Sequence, residues 1–363
     1  MKIAVLGFNK IKYMPYLNFY FENLDTEENE VHILYWNRDL KKEVIDKYCS
    51  SVLHEFRYYQ EDYVSKIFKI RSFLKYRKFA KKIITEEKFD LIIILHSLPG
   101  IIISDILSKH YKDKYIFDYR DFTYESFWLY KKIIGNIVKN SRATFVSSDA
   151  FRRFLPNGEQ YKVFTSHNII LDSLSYNKGC RIPSDKIRIS YWGFIRNENV
   201  NREIIKKVSR DVRFQLHYYG KEQQLVLKLK EYSKEICATN VFFHGEYKPD
   251  DRYGFARNTD IIHNVYEDTN MTYAMSNKYY DALVFGIPIM SLCGSFMEHN
   301  MKKAGIGFSV NPYEDDFTDK LFEAYNNLNR EAFNRNIEIE LRRVLNEYWF
   351  GAELISNLTK DVK

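Results

Sequence analysis

Ser276-Asn277-Lys278-Tyr279-Tyr280-Asp281-Ala282-Leu283-Val284-Phe285-Gly286-Ile287-Pro288-Ile289 joins a helix to a strand through a glycine. Ser276 or Asn277 suits an N-cap, so a helix is predicted from Ser276 to Phe285, released by Gly286 into a strand over Ile287 to Leu292 whose first residues include Pro288. Lys278 falls in the first helical turn, where a cation sits unfavourably beside the positive end of the helix dipole. An anionic ligand such as a diphosphate relieves that conflict, because a helix N-terminus attracts anions. Asp281, about one turn further on, can accept two hydrogen bonds from a ribose diol.

The same helix-to-strand alternation fills the chain on both sides of this stretch. Ile3 to Gly7, Val31 to Trp36, Asp90 to Leu95, Tyr115 to Asp118, Thr144 to Ser147 and Val163 to Ser166 are short apolar runs, with helical spacing between them at Leu17 to Leu24 and Ile101 to Leu107. Strands apolar on both faces that alternate with helices predict a parallel sheet covered on both sides. The polar stretch Asp172 to Asp185, broken by Gly179 and Pro183, marks a domain boundary. The pattern then begins again at Ile187 to Phe194. It continues through Phe214 to Tyr219, Val241 to His244, Thr259 to Val265 and Gly305 to Val310, before helices from Asp315 to the end. The predicted class is α/β, with two Rossmann-like parallel-sheet domains at 1–172 and 186–345 and a C-terminal helix over 346–363 returning toward the first. Two such halves imply a ligand cleft at the carboxyl ends of their strands.

Composition agrees with two packed domains. The chain has 363 residues, 45% hydrophobic and 28% charged, which excludes a disordered tail. Its four cysteines (Cys49, Cys180, Cys237, Cys293) stand far apart with no ligand spacing, so neither a zinc site nor a disulfide framework is expected. The apolar start, Ile3 to Phe8, is too short for a signal-peptide core or a membrane span. Through Ile170 there are 28 Lys and Arg against 21 Asp and Glu, so the whole net charge of +7 belongs to the first half. Much of it lies in Lys66 to Ile84, with eight cations and no acid. A basic amphipathic helix there suits an anionic membrane surface, and no nucleic-acid-reading motif accompanies it.

The run from Lys278 to Met290 resembles the donor-binding helix of the GT-B glycosyltransferases, in particular the retaining family 4 group of bacterial surface polysaccharide synthesis. Those carry P-x-K-x-x-E-x-x-A-x-G-x-P-V-I at this point. Asp281 stands where that group has Glu, and Tyr273 stands where it has a second Glu eight positions earlier, although Glu267 and Asp268 lie close by. The resemblance implies that Asp281 binds the nucleotide ribose and that Tyr273, Ser276 and Asn277 belong to the donor segment. Tyr191-Trp192-Gly193-Phe194-Ile195-Arg196 is similar to the turn after the first strand of the donor domain in that group. There Gly193 lets backbone approach the diphosphate and Arg196 contacts it. The resemblance also points to His96, directly after the strand ending at Leu95, as a contact of the donor sugar. His96, Lys278 and Arg196 are the candidate catalytic groups.

On the acceptor side, Asp118, Asp121 and Glu125 cluster at a strand end, and Lys10 and Lys12 lie in the loop after the first strand. The resulting expectation is a sugar transferase, retaining by resemblance. It would use a UDP- or GDP-linked donor and a growing surface glycan or lipid-linked saccharide as acceptor, with no cofactor and no metal. It would work in the cytoplasm, peripherally at the inner face of the membrane. Two alternatives keep the fold: a sugar-nucleotide epimerase, and a non-catalytic membrane-associated partner. A nicotinamide dehydrogenase is disfavoured, since Gly7-Phe8-Asn9-Lys10-Ile11 lacks the G-x-G-x-x-G glycines.

Overall fold

The computed structural model describes residues 1–43, 45–61, 66–122, 124–176, 181–267 and 273–360. Cys180 and Asp268 lie outside the described residues, as does part of the stretch read as the domain boundary. Met1–Asn168 together with the chain from Leu345 onward form one compact unit, and Ile169–Val344 form another.

Among the described residues, the first unit is built on seven parallel strands: β1 (Lys2–Leu6), β2 (Glu30–Asn37), β3 (Val52–Arg57), β4 (Leu91–Leu95), β5 (Tyr115–Tyr119), β6 (Ala143–Val146) and β7 (Val163–Thr165). Their order is β3-β2-β1-β4-β5-β6-β7. Helices α1 (Leu17–Phe21), α2 (Lys66–Glu87), α3 (Ser97–Ile102), α4 (Ser104–His110) and α5 (Trp128–Asn140) make connections between them. The central strands are buried on both faces, as their unbroken apolar runs require. β3 is the strand that periodicity missed. As an edge strand it is half exposed and carries His54, Glu55 and Arg57, so no apolar run announces it. The single helix expected around Ile101 to Leu107 is two, divided at Ile103.

Among the described residues, the second unit repeats the design with six strands: β8 (Ile187–Trp192), β9 (Phe214–Tyr219), β10 (Val241–Gly245), β11 (Ile261–Asn264), β12 (Ile289–Leu292) and β13 (Gly307–Val310). Their order is β10-β9-β8-β11-β12-β13. Its helices are α6 (Glu198–Ser209), α7 (Gln224–Glu235), α8 (Arg252–Arg257), α9 (Asn277–Phe285), α10 (Phe296–Ala304) and α11 (Phe317–Asn326). The last helix, α12 (Arg330–Lys360), begins in this unit and ends in the first.

In both sheets the strand order reverses direction at one place, between β1 and β4 and between β8 and β11. Such a reversal splays the connecting loops apart and opens a crevice at the carboxyl ends of the two strands. The loops after β1 and β4 contain Lys10 and His96. Those after β8 and β11 contain Gly193 and Tyr266.

Candidate functional site

α9 forms as its sequence demands. Ser276 caps it, its side chain accepting the Lys278 amide at 3.2 Å, and Gly286 ends it at φ 62°, where the Ile287 amide closes on the Ala282 carbonyl at 3.1 Å. From Lys278 to Phe285 every residue is buried, so this helix lies inside the unit and presents no solvated face. Burial fixes the polar members firmly, because each must find a partner there.

Lys278 finds aromatic ones. Its ammonium donates to the Tyr266 hydroxyl and lies 4.0 Å from the centroid of the Tyr191 ring. Gly193, at φ +113°, sits so near that a β-carbon on it would lie 3.8 Å from the Lys278 nitrogen. The two stretches singled out in the sequence, 80 residues apart, therefore meet at the crevice of the second sheet. Gly220 closes the arrangement from β9: a β-carbon there would strike the Gly193 carbonyl at 2.3 Å, so the turn requires glycine twice.

The electrostatics of this cluster follow from one buried cation. Burial alone would push the Tyr266 phenol up. The Lys278 ammonium, with hydrogen bonds from Lys278, Tyr191 and Ser276, instead holds it below the ordinary tyrosine range. Tyr191, buried and facing Tyr266, is driven far above that range. His263 on β11 is pushed down to about 3, by burial first and by Lys278 second. It is thus neutral, with Nδ1 accepting the Val265 amide at 3.1 Å. The buried Lys278 ammonium, set among phenols, faces the turn at Gly193.

Asp281 is held differently from the sequence expectation. Trp192 Nε1 donates to one carboxylate oxygen at 2.7 Å and Arg252 Nη1 to the other at 2.7 Å. Burial pushes its carboxyl above the usual range, opposed chiefly by the Arg252 charge. The carboxylate keeps lone pairs for further donors, but it acts as one unit with Arg252. Arg196 is exposed, its guanidinium 5.4 Å from the Phe194 ring. Asn277 is exposed at the start of α9, and Tyr273 is half-buried just before it. Glu267 accepts from the Tyr313 hydroxyl at 2.5 Å and, through its amide, approaches Asn197.

In the first unit, His96 and Asp121, singled out separately in the sequence, are brought together: His96 Nε2 lies 3.1 Å from Asp121 Oδ2. Both are non-glycine residues at positive φ, 84° and 38°. Left-handed backbone at such residues is costly and concentrates at sites where geometry serves a purpose. Asp118 is placed otherwise. It lies inside β5, fully buried, with Arg120 Nε 2.8 Å from both its oxygens. Its role there is to hold Arg120, which reaches Ser166, Asn168 and the Tyr16 ring. Glu125 is likewise buried and accepts from the Tyr119 hydroxyl at 2.8 Å.

Lys10 is buried, paired with Asp39 and donating to the Lys41 carbonyl at 2.8 Å, while Lys12 is exposed. Lys10 also lines a cavity of about 400 Å³ with Tyr13, Trp36, Arg38, Asp39 and Tyr59, at the carboxyl ends of β1 to β3.

Tyr266 and Arg252 are functional candidates that sequence reasoning missed. Tyr266 had a signal, since it follows a strand at the sheet reversal; Arg252 had none, because only tertiary packing brings it to Asp281. Among the described residues, no group of three or more His, Cys, Asp and Glu is arranged to hold a metal ion. No helix among them is long and apolar enough to cross a membrane.

No protein-family model matches the chain, and no curated protein sequence does. Solved structures do. Sucrose-phosphate synthase from Thermosynechococcus elongatus matches 100% of this chain and 99% of its own, with a TM-score of 0.73 at 12% identity. A glycosyltransferase from Rickettsia africae matches over 99% and 98%, with a TM-score of 0.70 at 11% identity. Anabaena HepE in complex with UDP-glucose matches over 98% and 100%, with a TM-score of 0.69 at 13% identity. With its two Rossmann-like parallel sheets and these similarities along its whole length, the chain has the GT-B glycosyltransferase fold.

Proposed function

We propose that the chain is a glycosyltransferase that moves a sugar from a nucleotide sugar to a saccharide acceptor of a bacterial surface glycan. The observation that carries this reading is the meeting of Gly193, Tyr266 and Lys278 at the sheet reversal of the second unit. A buried cation whose ammonium is placed by a tyrosine hydroxyl and an aromatic ring, against a glycine turn, suits an incoming diphosphate. The similarity to HepE, whose structure holds UDP-glucose, supports a UDP-linked donor.

The reaction breaks the bond between the anomeric carbon and the diphosphate oxygen. Charge then accumulates on the departing diphosphate, where Lys278 and Arg196 stabilise it. Asp281, with Arg252, takes the ribose. His96, oriented by Asp121, contacts the sugar. In a retaining reaction the donor phosphate accepts the proton of the attacking hydroxyl on the same face of the ring. The cavity at Lys10, Tyr13 and Tyr59 offers a polar, aromatic-walled site for the acceptor saccharide. The cationic face of α2 would hold the enzyme at an anionic membrane where a lipid-linked acceptor resides.

Thermal shift with UDP tests the donor site. A ligand at ~100 times its dissociation constant adds about 2.7 kcal/mol, which moves the melting of a unit this size by about 5–10 °C. Asp281→Ala is expected to abolish most of that shift. No response to UDP, GDP or their sugars would remove the basis of the proposal, and epimer formation without acceptor would redirect it to an epimerase.

A further inference from the structure

α2 does not expose only charge. Its inward face is Tyr76, Ala80, Ile83 and Ile84, all buried, with Tyr76 stacked on Trp36 of β2. Yet Phe68, Ile70 and Leu74 face outward, Phe68 with 63% of its surface in solvent, among the exposed cations Arg71, Lys75 and Lys78. The side chains of Lys66 and Ile67 lie outside the described residues. Packing within the unit gives no reason for three large apolar groups on the wet side of this helix.

A second exposed patch stands at the start of α5. Phe127 is 65% and Trp128 74% exposed, with Leu129 and Tyr124 beside them and the exposed Lys131 and Lys132 following. Single exposed apolar residues are ordinary, but a run of aromatic and aliphatic groups at one helix entrance is not. The two patches flank α3, which packs against both α2 and α5. Tyr130 ties α5 to the first residue of α3, its hydroxyl donating to Ser97 at 2.9 Å, and Arg77 ties α2 to Asp105 of α4 at 2.7 Å. α2 follows β3, and α5 follows β5. The α2 patch therefore lies in the first half of its helix and the α5 patch at the entrance of its own, and both helices start at the carboxyl edge of the same sheet.

We infer that these two helix starts form one membrane-docking surface, in which Phe127, Trp128 and Leu129 enter the headgroup region while the lysines of α2 and α5 meet anionic lipid. The chemistry favours lipid over another occupant. Tryptophan and tyrosine are suited to the interface between water and acyl chains, with lysine reaching back to the phosphates. Neither 66–85 nor 126–140 contains an acid that would repel an anionic surface. One apolar anchor or one basic face alone gives marginal binding, whereas the two together give stable attachment. The inference rests on the membrane reading of α2 for its partner; the apolar wedge at α5 is its addition, and neither depends on sugar transfer.

Co-sedimentation of the full chain with phosphatidylcholine vesicles, with and without about 30% phosphatidylglycerol, tests it. The chain is expected to bind the anionic vesicles. Phe127→Ser with Trp128→Ser should weaken that binding about tenfold or more at unchanged melting temperature. Lys78→Gln with Lys81→Gln and Lys82→Gln should remove the salt-sensitive part. Equal binding by the aromatic variant would overturn the wedge and leave the α2 reading standing; absence of vesicle binding would overturn both. Self-association lost in the Trp128 variant, without vesicle binding, would reassign the patch to a protein interface and likewise overturn the inference.

Discussion

Lys278→Ala is expected to lower kcat about 100- to 1,000-fold, the loss typical when one preorganised group facing developing charge is removed. Lys278 is buried on α9, its ammonium is placed by the Tyr266 hydroxyl and the Tyr191 ring, and the Gly193 turn leaves open space beside it. Its hydrogen bond goes to a tyrosine hydroxyl, so its charge can serve a ligand that arrives with its own. Its interaction strengthens as the diphosphate departs, so the loss should fall on kcat more than on KM. Lys278→Arg should not restore full activity, because a planar guanidinium does not fit the point-charge position between two rings and a glycine turn.

A second readout needs no substrate. In the native chain Lys278 holds the Tyr266 phenol below the ordinary value of 10.0. Without the ammonium only burial remains as the main influence, and burial raises a phenol. An ultraviolet difference titration should therefore lose one early tyrosine step in Lys278→Ala. Undiminished turnover together with an unchanged titration would remove Lys278 from the site.

The sequence carried the fold further than it carried the site, for a physical reason. Central strands such as Leu91–Leu95 are buried on both faces, so burial writes itself as an apolar run that is read without any knowledge of neighbours. β3 escapes that rule because its edge faces water. α9 was legible by its cap, its length and its glycine exit, all of them local. What local pattern cannot show is which polar groups meet. Asp118 looked like a strand-end acid open to ligand, but β5 continues to Tyr119 and Arg120 folds back to bury it. His96 and Asp121 were each visible, while their pairing was not. Arg252, at the start of α8, reads as any arginine on a surface helix until the fold sets it 2.7 Å from Asp281.

That contact gives the largest stability effect expected in the second unit. Arg252→Leu leaves Asp281 as a buried carboxylate that still accepts from Trp192 but has lost its ion-pair partner, and breaking a buried pair by removing one partner costs about 3–5 kcal/mol. Calorimetry should show the unit melting about 10 °C lower at neutral pH. The pH dependence identifies the cause. Burial already holds the Asp281 carboxyl above its ordinary 3.8, and the Arg252 charge is the chief influence lowering it, so the variant's carboxyl rises further. A folded-state value above the unfolded one means the folded chain binds the proton more tightly. The favourable contribution is then fully present below 3.8 and is lost as pH rises through the folded value. The difference in melting temperature between native chain and variant should therefore shrink on acidification from pH 7.5 toward pH 5. Adding Asp281→Asn to Arg252→Leu should recover most of the loss at pH 7.5, because the amide oxygen still accepts from Trp192 and no buried carboxylate is left without its ion-pair partner. A variant that melts with the native chain at every pH would show that Arg252 does not carry the Asp281 charge, and the ribose contact would then have to be assigned to Asp281 alone.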